Sequence, residues 1–434
     1  MALRDFRGMF LFLLTILFHF HRTMSEGDKE LIMVNLVYRH GDRSPVAVFP
    51  SDTHKENVWP NGLGWLSKIG MDQHYALGQW FRNRYMKDNT LLNSSYKHSE
   101  IEVASSNEDR CLMSAYSNLA GFYPPTDQEK FDPSIEWQPI PVHTRPEKED
   151  NVINMGMFCS RYNELYEETI SSKEVQTEEN RNKAFYELLQ KKTGYPDISI
   201  RNAWKPADTL FCEKSHNMTL DPWALEKFGN TTVYDKLRQL EAWQFHLLYY
   251  NKEMAKLKGG PLLKEMRDNM VNASGKNYTG PKLYMFSGHD TTVAALLSAL
   301  GLYKNITGSP VYAATVMLEL YKKAEYYYVE IHYKDNHSTN SSASTILTLE
   351  GCSEKCELSK FLSLTAAAVP KDWRRECESR HHSKKSGIHL RTSEIISIVL
   401  AVVLIVTLVC LILTCVKLRR SSEGGYKSFV NPDI

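Results

Sequence analysis

Side chains that can bind and attack an anion occur at three separate points of the 434-residue sequence. They are Arg39, His40 and Arg43 in the string RHGDRSP, Arg110 in SSNEDRC, and His289 and Asp290 in SGHDTT. Three guanidinium groups in one pocket would hold a multiply charged anion, because their planar forks match phosphate oxygens and stay charged at every relevant pH. A histidine between two arginines is favoured in its neutral form, which is the nucleophilic one.

These residue types together predict the transfer of a phosphoryl group to His40. The arginines and His289 would stabilise charge on the equatorial oxygens, and Asp290 would donate a proton to the departing alkoxide. Each residue taken alone has a simpler interpretation. A single histidine at the end of a strand is usually structural, and Asp290 before two threonines can be a helix N-cap. A metal site at His289 and Asp290 is not favoured, because no third ligand stands at a telling spacing.

Each part of this set follows a short apolar segment that is typical of a buried strand. The three candidates are residues 31–38 (LIMVNLVY), 101–105 (IEVAS) and 283–287 (LYMFS). In open α/β sheets, the loops at the carboxyl ends of the strands gather at one edge. If the three strands are parallel neighbours, all six side chains of the set converge there.

A helix is predicted after each of the last two strands. The first covers residues 108–120, with Ser106 and Asn107 as N-cap candidates and Gly121 and Pro124 as its stop. The second is the run TTVAALLSAL, which ends at Gly301. Residues 145–270 are rich in helical patterns such as YDKLRQLEAWQFHLLYY, which indicates a helical insertion that caps the sheet.

The string RHGDRSP after an apolar strand, with HD after another strand far downstream, closely resembles the histidine acid phosphatase family. The likeness extends through WPNGLGWLSKIGMDQHYALGQWFRNRY, SSNEDRCLMSA, WQPIPVHTRP, FCEKSHNMT and SGHDTT, over about residues 29–378. RHG alone is a weak signal, whereas RHGxRxP followed by HD is specific. The single membrane span and short tail make the chain most similar to the lysosomal and prostatic branch of that family.

This resemblance implies an acid phosphatase that hydrolyses phosphate monoesters through a phosphohistidine. His40 would carry the phosphoryl group and Asp290 would be the proton donor, while the phosphate would be bound by Arg39, Arg43, Arg110 and His289. The implied fold is α/β: a large domain with a central, mainly parallel sheet flanked by helices, and a smaller, mainly helical cap domain. Many members dimerise, so a homodimer is expected. No cofactor or metal is expected.

Six cysteines lie before the apolar C-terminal segment, and an even set in an oxidising compartment suggests disulfides. Cys352 and Cys356 are expected to close a small disulfide loop. By the resemblance, Cys159–Cys377 is a second candidate pair. The branch usually pairs a cysteine like Cys212 with one near position 315, but this chain has Thr315 there. Cys111 and Cys212 are therefore expected either to pair with each other or to be free thiols.

Two apolar segments give the expected order of the chain. Residues 1–24 have the pattern of a secretory signal peptide, and the uncharged residues 395–416 are long enough to cross a bilayer. Between them we expect an ectodomain over 25–379 and a polar stalk over 380–394, with a cytoplasmic tail over 417–434. The alternative for 395–416 is a buried core helix, which would normally show a polar face.

Eight N-x-S/T sequons support a glycosylated, lumenal or extracellular ectodomain on a single-pass type I membrane protein. They are Asn93, Asn217, Asn230, Asn272, Asn277, Asn305, Asn336 and Asn340. In the tail, Tyr426 and Phe429 have the spacing of a sorting signal that a clathrin-adaptor-type partner binds, which favours a lysosomal or endosomal location over the plasma membrane.

Other functions remain open at this level. A formal net charge of +1 gives no reason to expect nucleic-acid binding. A phytase or a lipid-phosphate phosphatase would use the same motif on a narrower range of substrates. A non-catalytic surface or sorting glycoprotein is disfavoured because all six motif positions are intact, and a phosphoglycerate mutase is disfavoured by the signal and the membrane segment.

Overall fold

The computed structural model describes residues 29–305, 308–335, 344–380 and 392–424. The predicted signal peptide, most of the predicted stalk and the tail residues Tyr426 and Phe429 lie outside the described residues, as do the sequons Asn336 and Asn340. The described residues from Lys29 to Glu378 form one compact unit, and a second unit begins at Ser379.

The strands, numbered in chain order, are β1 (Glu30–Arg39), β2 (Ile101–Ser105), β3 (His143–Thr144), β4 (Lys227–Phe228), β5 (Thr231–Thr232), β6 (Leu283–Gly288), β7 (Thr315–Lys323), β8 (Tyr326–Lys334), β9 (Thr345–Leu347) and β10 (Cys356–Glu357). The α-helices are α1 (Lys68–Arg82), α2 (Asp109–Phe122), α3 (Ser160–Ile170), α4 (Lys173–Arg181), α5 (Lys183–Thr193), α6 (Trp204–Ser215), α7 (Pro222–Leu225), α8 (Val233–Leu247), α9 (Lys252–Ala273), α10 (Asp290–Ala299), α11 (Leu358–Thr365), α12 (Trp373–Glu376) and α13 (Thr392–Gly424).

Eight strands form one sheet in the order β10-β8-β7-β1-β6-β2-β3, with β9 paired to β8. The predicted strands β1, β6 and β2 are parallel neighbours, as expected, and β3 continues the parallel half. The expectation of a mainly parallel sheet is wrong, because β7, β8, β9 and β10 all pair antiparallel. β7 and β8 form a tight hairpin, whose turn places Ala324 at φ 55°, and β7 joins this hairpin to β1.

Helices cover both faces of this sheet, which confirms the α/β class. On one face, α9 and α10 pack on Val37 of β1 and Phe286 of β6. On the other, α1 and α2 pack on Leu36 and Met285. The side chains of neighbouring strand residues point to opposite faces, so the near-continuous apolar runs of β1 and β6 supply both cores.

The helical insertion has a core of its own, built from α5, α6, α7 and α8 with Phe49 from the loop after β1. The last helix of the predicted 145–270 segment, α9, does not belong to that core. It lies on the sheet, where the backbone carbonyl of Met266 accepts a hydrogen bond of 3.2 Å from the Asn35 amide. The predicted insertion is therefore too long at its C-terminal end, because α9 belongs to the helices that cover the sheet.

Gly121 does not end the helix after β2, as predicted, but lies inside α2. A Cβ atom at Gly121 would be 2.1 Å from the carbonyl oxygen of Tyr75 in α1, and one at Gly78 would be 2.0 Å from that of Asn118 in α2. The two helices thus cross with backbone against backbone. At the other predicted stop, Gly301 follows α10 with φ 72°, the left-handed conformation that suits glycine.

Two disulfides tie the C-terminal part of the first unit. Cys352 pairs with Cys356, and Cys159 pairs with Cys377 across 218 residues. Both predicted pairs are present. In the second unit, α13 contains an apolar stretch, Val399–Arg419, that is long enough to cross a membrane. It overlaps the predicted span 395–416.

Candidate active site

The ends of the three parallel strands lie side by side, and this places the predicted residues together. The backbone amide of His40, just after β1, donates to the carbonyl of Gly288 at 2.9 Å. The amide of Ser106, just after β2, donates to the carbonyl of Ser287 at 3.0 Å. The loops after β1, β2 and β6 are therefore hydrogen-bonded to one another at the edge where the sequence predicted a site.

His40 is the central group of this edge and is only 2% exposed. Its Nδ1 lies 2.8 Å from the carbonyl oxygen of Gly41. A carbonyl can only accept, so Nδ1 carries the proton and Nε2 keeps its lone pair. Burial, followed by the charges of Arg39, Arg110 and Arg43, holds the pKa of His40 well below its usual range. The imidazole therefore stays neutral in acid, with Nε2 available as a nucleophile.

Arg39, the last residue of β1, is held from three sides. It donates from Nη1 to the carbonyl of Pro310 at 2.6 Å and pairs through Nη2 with Asp290 at 2.9 Å. Its guanidinium also lies 4.4 Å from the centre of the Tyr312 ring. Asp290 is the first residue of α10 rather than its N-cap, which is His289.

Arg43 makes a two-bond ion pair with Asp208 of α6, at 2.9 and 3.1 Å. Asp208 also accepts from the amide of Val46 at 3.1 Å, so it fixes both the guanidinium and the loop that follows it. The sequence did not predict Asp208. The sequence signal that could have found it is an aspartate between the apolar residues of the segment WKPADTLFCEK, since a buried carboxylate requires a partner.

Arg110 of α2 and His289, which follows β6, are in contact at the same edge of the sheet. Nη2 of Arg110 lies 3.4 Å from Nδ1 of His289, and Nε2 of His289 lies 2.9 Å from the hydroxyl of Ser106. Since an arginine can only donate, Nδ1 accepts and Nε2 carries the proton. Ser106, predicted as an N-cap, instead orients His289, and Glu108 is the N-cap of α2. Glu108 pairs with Arg110 at 2.9 Å.

Electrostatics make His289 neutral and Asp290 charged in this arrangement. Burial, with Arg110 as the next contribution, lowers the pKa of His289 to about 3. Burial alone would raise the pKa of Asp290, but Arg39, Arg43 and His289 together bring it below its ordinary value. Asp290 is thus a carboxylate in the free protein.

The two remaining cysteines of the first unit are free and buried, so the Cys111–Cys212 disulfide candidate is wrong. Each thiol packs in the site instead. The Cys111 sulfur lies 3.2 Å from the carbonyl of Gly288 and 3.7 Å from His289, and the Cys212 sulfur lies 3.7 Å from Nη1 of Arg43. Burial raises the pKa of Cys111 to about 12, so it remains a thiol.

The loop RHGDRSP, which begins at the end of β1, packs closely against the start of α1. A Cβ atom on Gly41 would lie 2.4 Å from the carbonyl oxygen of Gly70, and one on Gly70 would lie 2.2 Å from that of Asp42. Only two glycines allow this approach. Asp42 is buried and accepts hydrogen bonds from Ser67 at 2.5 Å and from His216 at 2.7 Å.

A cavity of about 420 Å³ opens from Arg39, Arg43 and Asp290 toward the helical insertion. Its wall is largely aromatic and includes Tyr162, Tyr166, Trp204, Phe211 and Phe245. Two further arginines and two further carboxyl groups also line it, namely Arg201, Arg238, Asp208 and Glu241. Burial raises the pKa of Glu241 to about 7. The insertion therefore shapes the part of the pocket that lies beyond the anion site.

The sequons are distributed away from this pocket wherever the structure describes their side chains. Asn93, Asn217, Asn230, Asn272 and Asn277 are all exposed. None of them lines the cavity. Asn305 ends a short 3-10 helix, Tyr303–Asn305.

Comparisons with known proteins agree with this architecture. Residues 30–334 match the model of the histidine phosphatase superfamily, branch 2. Prostatic acid phosphatase of Bos taurus is 42% identical over 362 residues, or 83% of this chain and 91% of that one. Lysosomal acid phosphatase of Bos taurus is 39% identical over 404 residues, or 92% of this chain and 91% of that one. The apo form of Hafnia alvei phytase superposes with a TM-score of 0.61 at 18% identity, covering 81% of this chain and 99% of that one, a likeness of fold alone.

Proposed function

The chain belongs to branch 2 of the histidine phosphatase superfamily, and on that basis we propose that it is an acid phosphatase that hydrolyses phosphate monoesters through a phosphohistidine on His40. The observation that carries the mechanism is the tautomer of His40. Its Nδ1 donates to the Gly41 carbonyl, so the lone pair is on Nε2. Three arginines at the same sheet edge provide the charge that a phosphoryl group requires.

In the first step, Nε2 of His40 attacks phosphorus and the ester P–O bond breaks. The proton of Asp290 passes to the leaving alkoxide, which departs as an alcohol. In the second step, Asp290 accepts a proton from water as the water oxygen attacks phosphorus and the P–N bond breaks. Inorganic phosphate leaves, and His40 returns to its neutral form.

Arg39, Arg43 and Arg110 bind the phosphoryl oxygens in both steps, and His289 joins them as a donor when the negative charge of the bound phosphate leads it to take up a second proton. Negative charge spreads over these oxygens in the transition state, and fixed donors stabilise it without reorganising. Each arginine keeps a carboxylate partner in the resting site, so the guanidinium groups are already oriented before the substrate arrives.

Asp290 is ionised in the free protein and must gain a proton before it can act as the acid. A bound phosphate ester supplies the cause, because its charge competes with Asp290 for Arg39 and repels the carboxylate. Substrate binding therefore raises the pKa of Asp290. This requirement for protonation favours catalysis in acid.

The cavity beyond the anion site favours a broad monoesterase over a phytase. A phytate molecule would place further phosphate groups beside five aromatic side chains, and the two arginines of that wall, Arg201 and Arg238, already donate hydrogen bonds to Glu167 and Glu241. Ring stacking and apolar contact suit an aryl or alkyl leaving group better. Lipid phosphates remain a subclass of the same monoesters, to be ranked by a substrate panel.

The apolar C-terminal helix and the likeness to lysosomal acid phosphatases fit a lysosomal membrane protein. We further propose a type I orientation, with a lumenal catalytic unit, a cap of helices over the pocket and a short cytoplasmic tail. A homodimer and a sorting partner for the tail belong to the same proposal.

The test is to trap the phospho-enzyme with labelled substrate by a rapid quench that avoids acid. The wild-type chain should give a base-stable, acid-labile adduct, and His40→Ala should lose both the adduct and turnover by at least about a thousandfold. His98→Ala, which removes an exposed histidine, is the matched control. Normal turnover by His40→Ala would contradict the mechanism.

A further inference from the structure

A second cluster of ionisable groups lies outside the active site, where the loop after β1 meets α6. It consists of Asp52 and His54 in that loop and Glu213 near the end of α6, and one ligand atom from each lies within 4.8 Å of the others. Nδ1 of His54 is 3.1 Å from Oε1 of Glu213. Asp52 is 2% exposed and Glu213 is 1% exposed.

The cluster would carry an excess of negative charge if both of its carboxyl groups were ionised. In the part of the chain that the structure describes, neither carboxyl group has an ion pair with a lysine or an arginine, and His54 is the one basic partner. Asp221, itself buried, adds a third acidic group nearby. Two buried carboxylates without a cation are strongly disfavoured.

One atom of the cluster is also left without a partner. Oδ1 of Asp52 accepts from the amide of His54 at 2.8 Å. Oδ2 of the same side chain is buried and has no hydrogen-bond donor. Without a cation, this oxygen can be satisfied only by a proton on Glu213, whose pKa burial and the nearby Asp52 raise to about 9.

A second group with the same ligand types shows what a satisfied cluster looks like. Glu319, Glu330 and His332 are equally close together. There, Arg84 makes two hydrogen bonds to Glu319 at 2.7 and 2.8 Å, and Lys29 pairs with Glu330 at 2.7 Å. Protein cations already neutralise that group, whereas none of the lysines and arginines that the structure describes pairs with Asp52 or Glu213.

We propose that Asp52, His54 and Glu213 bind one divalent transition-metal ion of the zinc type. One imidazole and two carboxylates form a common ligand set for zinc, with a water as the fourth ligand. Ligand atoms bound to zinc at about 2.0–2.2 Å lie roughly 3.3 Å apart, and the His54–Glu213 contact already meets this spacing. The His54 side chain is 23% exposed, which gives the ion and its water access to solvent.

The role of such an ion would be structural. Glu213 follows Cys212 and is five positions after Asp208, so the ion would fasten the loop after β1 to the helix that holds Arg43. The hydroxyl of Thr209 donates to the carbonyl of Ala47 at 2.9 Å along the same contact. A metal ion bound to Asp52, His54 and Glu213 would add a further link between this loop and α6 without entering the catalytic pocket.

The experiment uses the full-length chain in detergent, stripped of metal and titrated with Zn²⁺ against a chromophoric chelator. We expect one ion per chain, weakened about tenfold or more by His54→Gln and by Asp52→Asn. Glu226→Gln removes an exposed carboxylate from the same region and should change nothing. Zn²⁺ should raise the thermal midpoint of the wild-type chain and leave that of His54→Gln unchanged.

Co²⁺ distinguishes this site from ion binding at the active-site thiols. Occupancy by Asp52, His54 and Glu213 gives visible absorption without a sulfur-to-metal charge-transfer band, whereas binding at Cys111 would show that band. The proposal fails if the wild-type chain takes up no Zn²⁺, or if His54→Gln binds it as tightly as Glu226→Gln. Either result would indicate instead that Asp52 and Glu213 share a proton.

Discussion

Each arginine of the site already has a carboxylate partner in the resting protein: Asp290 for Arg39, Asp208 for Arg43 and Glu108 for Arg110. These pairs have different consequences. Asp208 and Glu108 hold guanidinium groups in place, whereas in the proposed mechanism Asp290 leaves its ion pair as a protonated acid. The same interaction that keeps Asp290 ionised in the free protein therefore makes its pKa responsive to bound phosphate.

Asp290→Asn should slow substrates with poor leaving groups far more than substrates with good ones. An alkyl phosphate needs a proton on its leaving oxygen, so we expect a loss of roughly a hundredfold or more in kcat, against a few-fold for p-nitrophenyl phosphate. Steady-state kinetics of both substrates on one preparation would measure this. An equal loss on both would assign Asp290 to phosphate binding.

Glu241 should make substrate affinity depend on pH. Its pKa is raised to about 7, so the side chain is neutral in acid and becomes charged as the pH rises through that value. The new charge adds to Asp208 and Asp290 in the same pocket. Relative to Glu241→Gln, the wild-type KM for an aryl phosphate should rise roughly threefold between about pH 5 and pH 8.

Taking the ratio of the two KM values cancels the titration of the substrate itself. Glu226→Gln, an exposed carboxylate outside the pocket, should follow the wild-type profile. A ratio that stays constant across this range would show that Glu241 does not titrate beside the substrate.

At the level of elements, the sequence predicts what local patterns determine. The apolar runs of β1, β2 and β6 identify buried strands, and parallel pairing then brings His40, Arg110 and His289 together. Asp208 could not be predicted in the same way, because it is 165 residues from Arg43 and reaches it through the docking of a helix from the insertion. The antiparallel half of the sheet could not be predicted either, because the β7–β8 hairpin lies outside the motifs from which the strands are identified.

Gly121 is interpreted from the local sequence as a helix end, but its role comes from tertiary packing. Glycine in a helix usually weakens it, so the sequence predicts a helix end there. In the structure, the missing side chain allows α1 and α2 to touch through their backbones. A glycine is required at this position because α1 packs against it, and the sequence around Gly121 carries no information about that contact.

Gly78→Ala should therefore destabilise the protein, although alanine is the better helix former. The new Cβ would meet the carbonyl of Asn118 at 2.0 Å, and rigid backbone cannot move aside cheaply. We expect a loss of about 1–3 kcal/mol, seen as a lower thermal midpoint. Gln79→Ala, at the exposed neighbouring position, is the control and should be neutral or slightly stabilising. A stabilised Gly78→Ala chain would contradict the close crossing.

For the whole molecule, the catalytic unit and the apolar helix indicate an enzyme held at a membrane. The proposed chemistry suits an acidic lumen, because His40 stays neutral there and Asp290 can take up a proton once substrate is bound. We propose that the tail determines the cellular location, because Tyr426 and Phe429 have the spacing of a sorting signal. A tyrosine followed three residues later by a bulky apolar residue can dock as an extended strand.

Tyr426→Ala should slow internalisation of the chain from the cell surface by roughly fivefold or more, since one of the two docking side chains is lost. Antibody uptake by cells that express either form measures this rate. Ser421→Ala changes the tail without touching the motif and serves as the control. Uptake of the tyrosine variant at the wild-type rate would favour residence at the plasma membrane.

The Cys159–Cys377 disulfide determines how the catalytic unit would bear mechanical tension from its anchor. A pull that arrives through the C-terminal segment reaches Cys377 and passes through the sulfur atoms to Cys159, immediately before α3. The 3.0 Å hydrogen bond from the Arg161 amide to the Cys377 carbonyl reinforces this junction. Tension therefore enters the fold at a helix in the middle of the chain. The elements between the two cysteines are shielded from being peeled off one at a time from the C-terminal end.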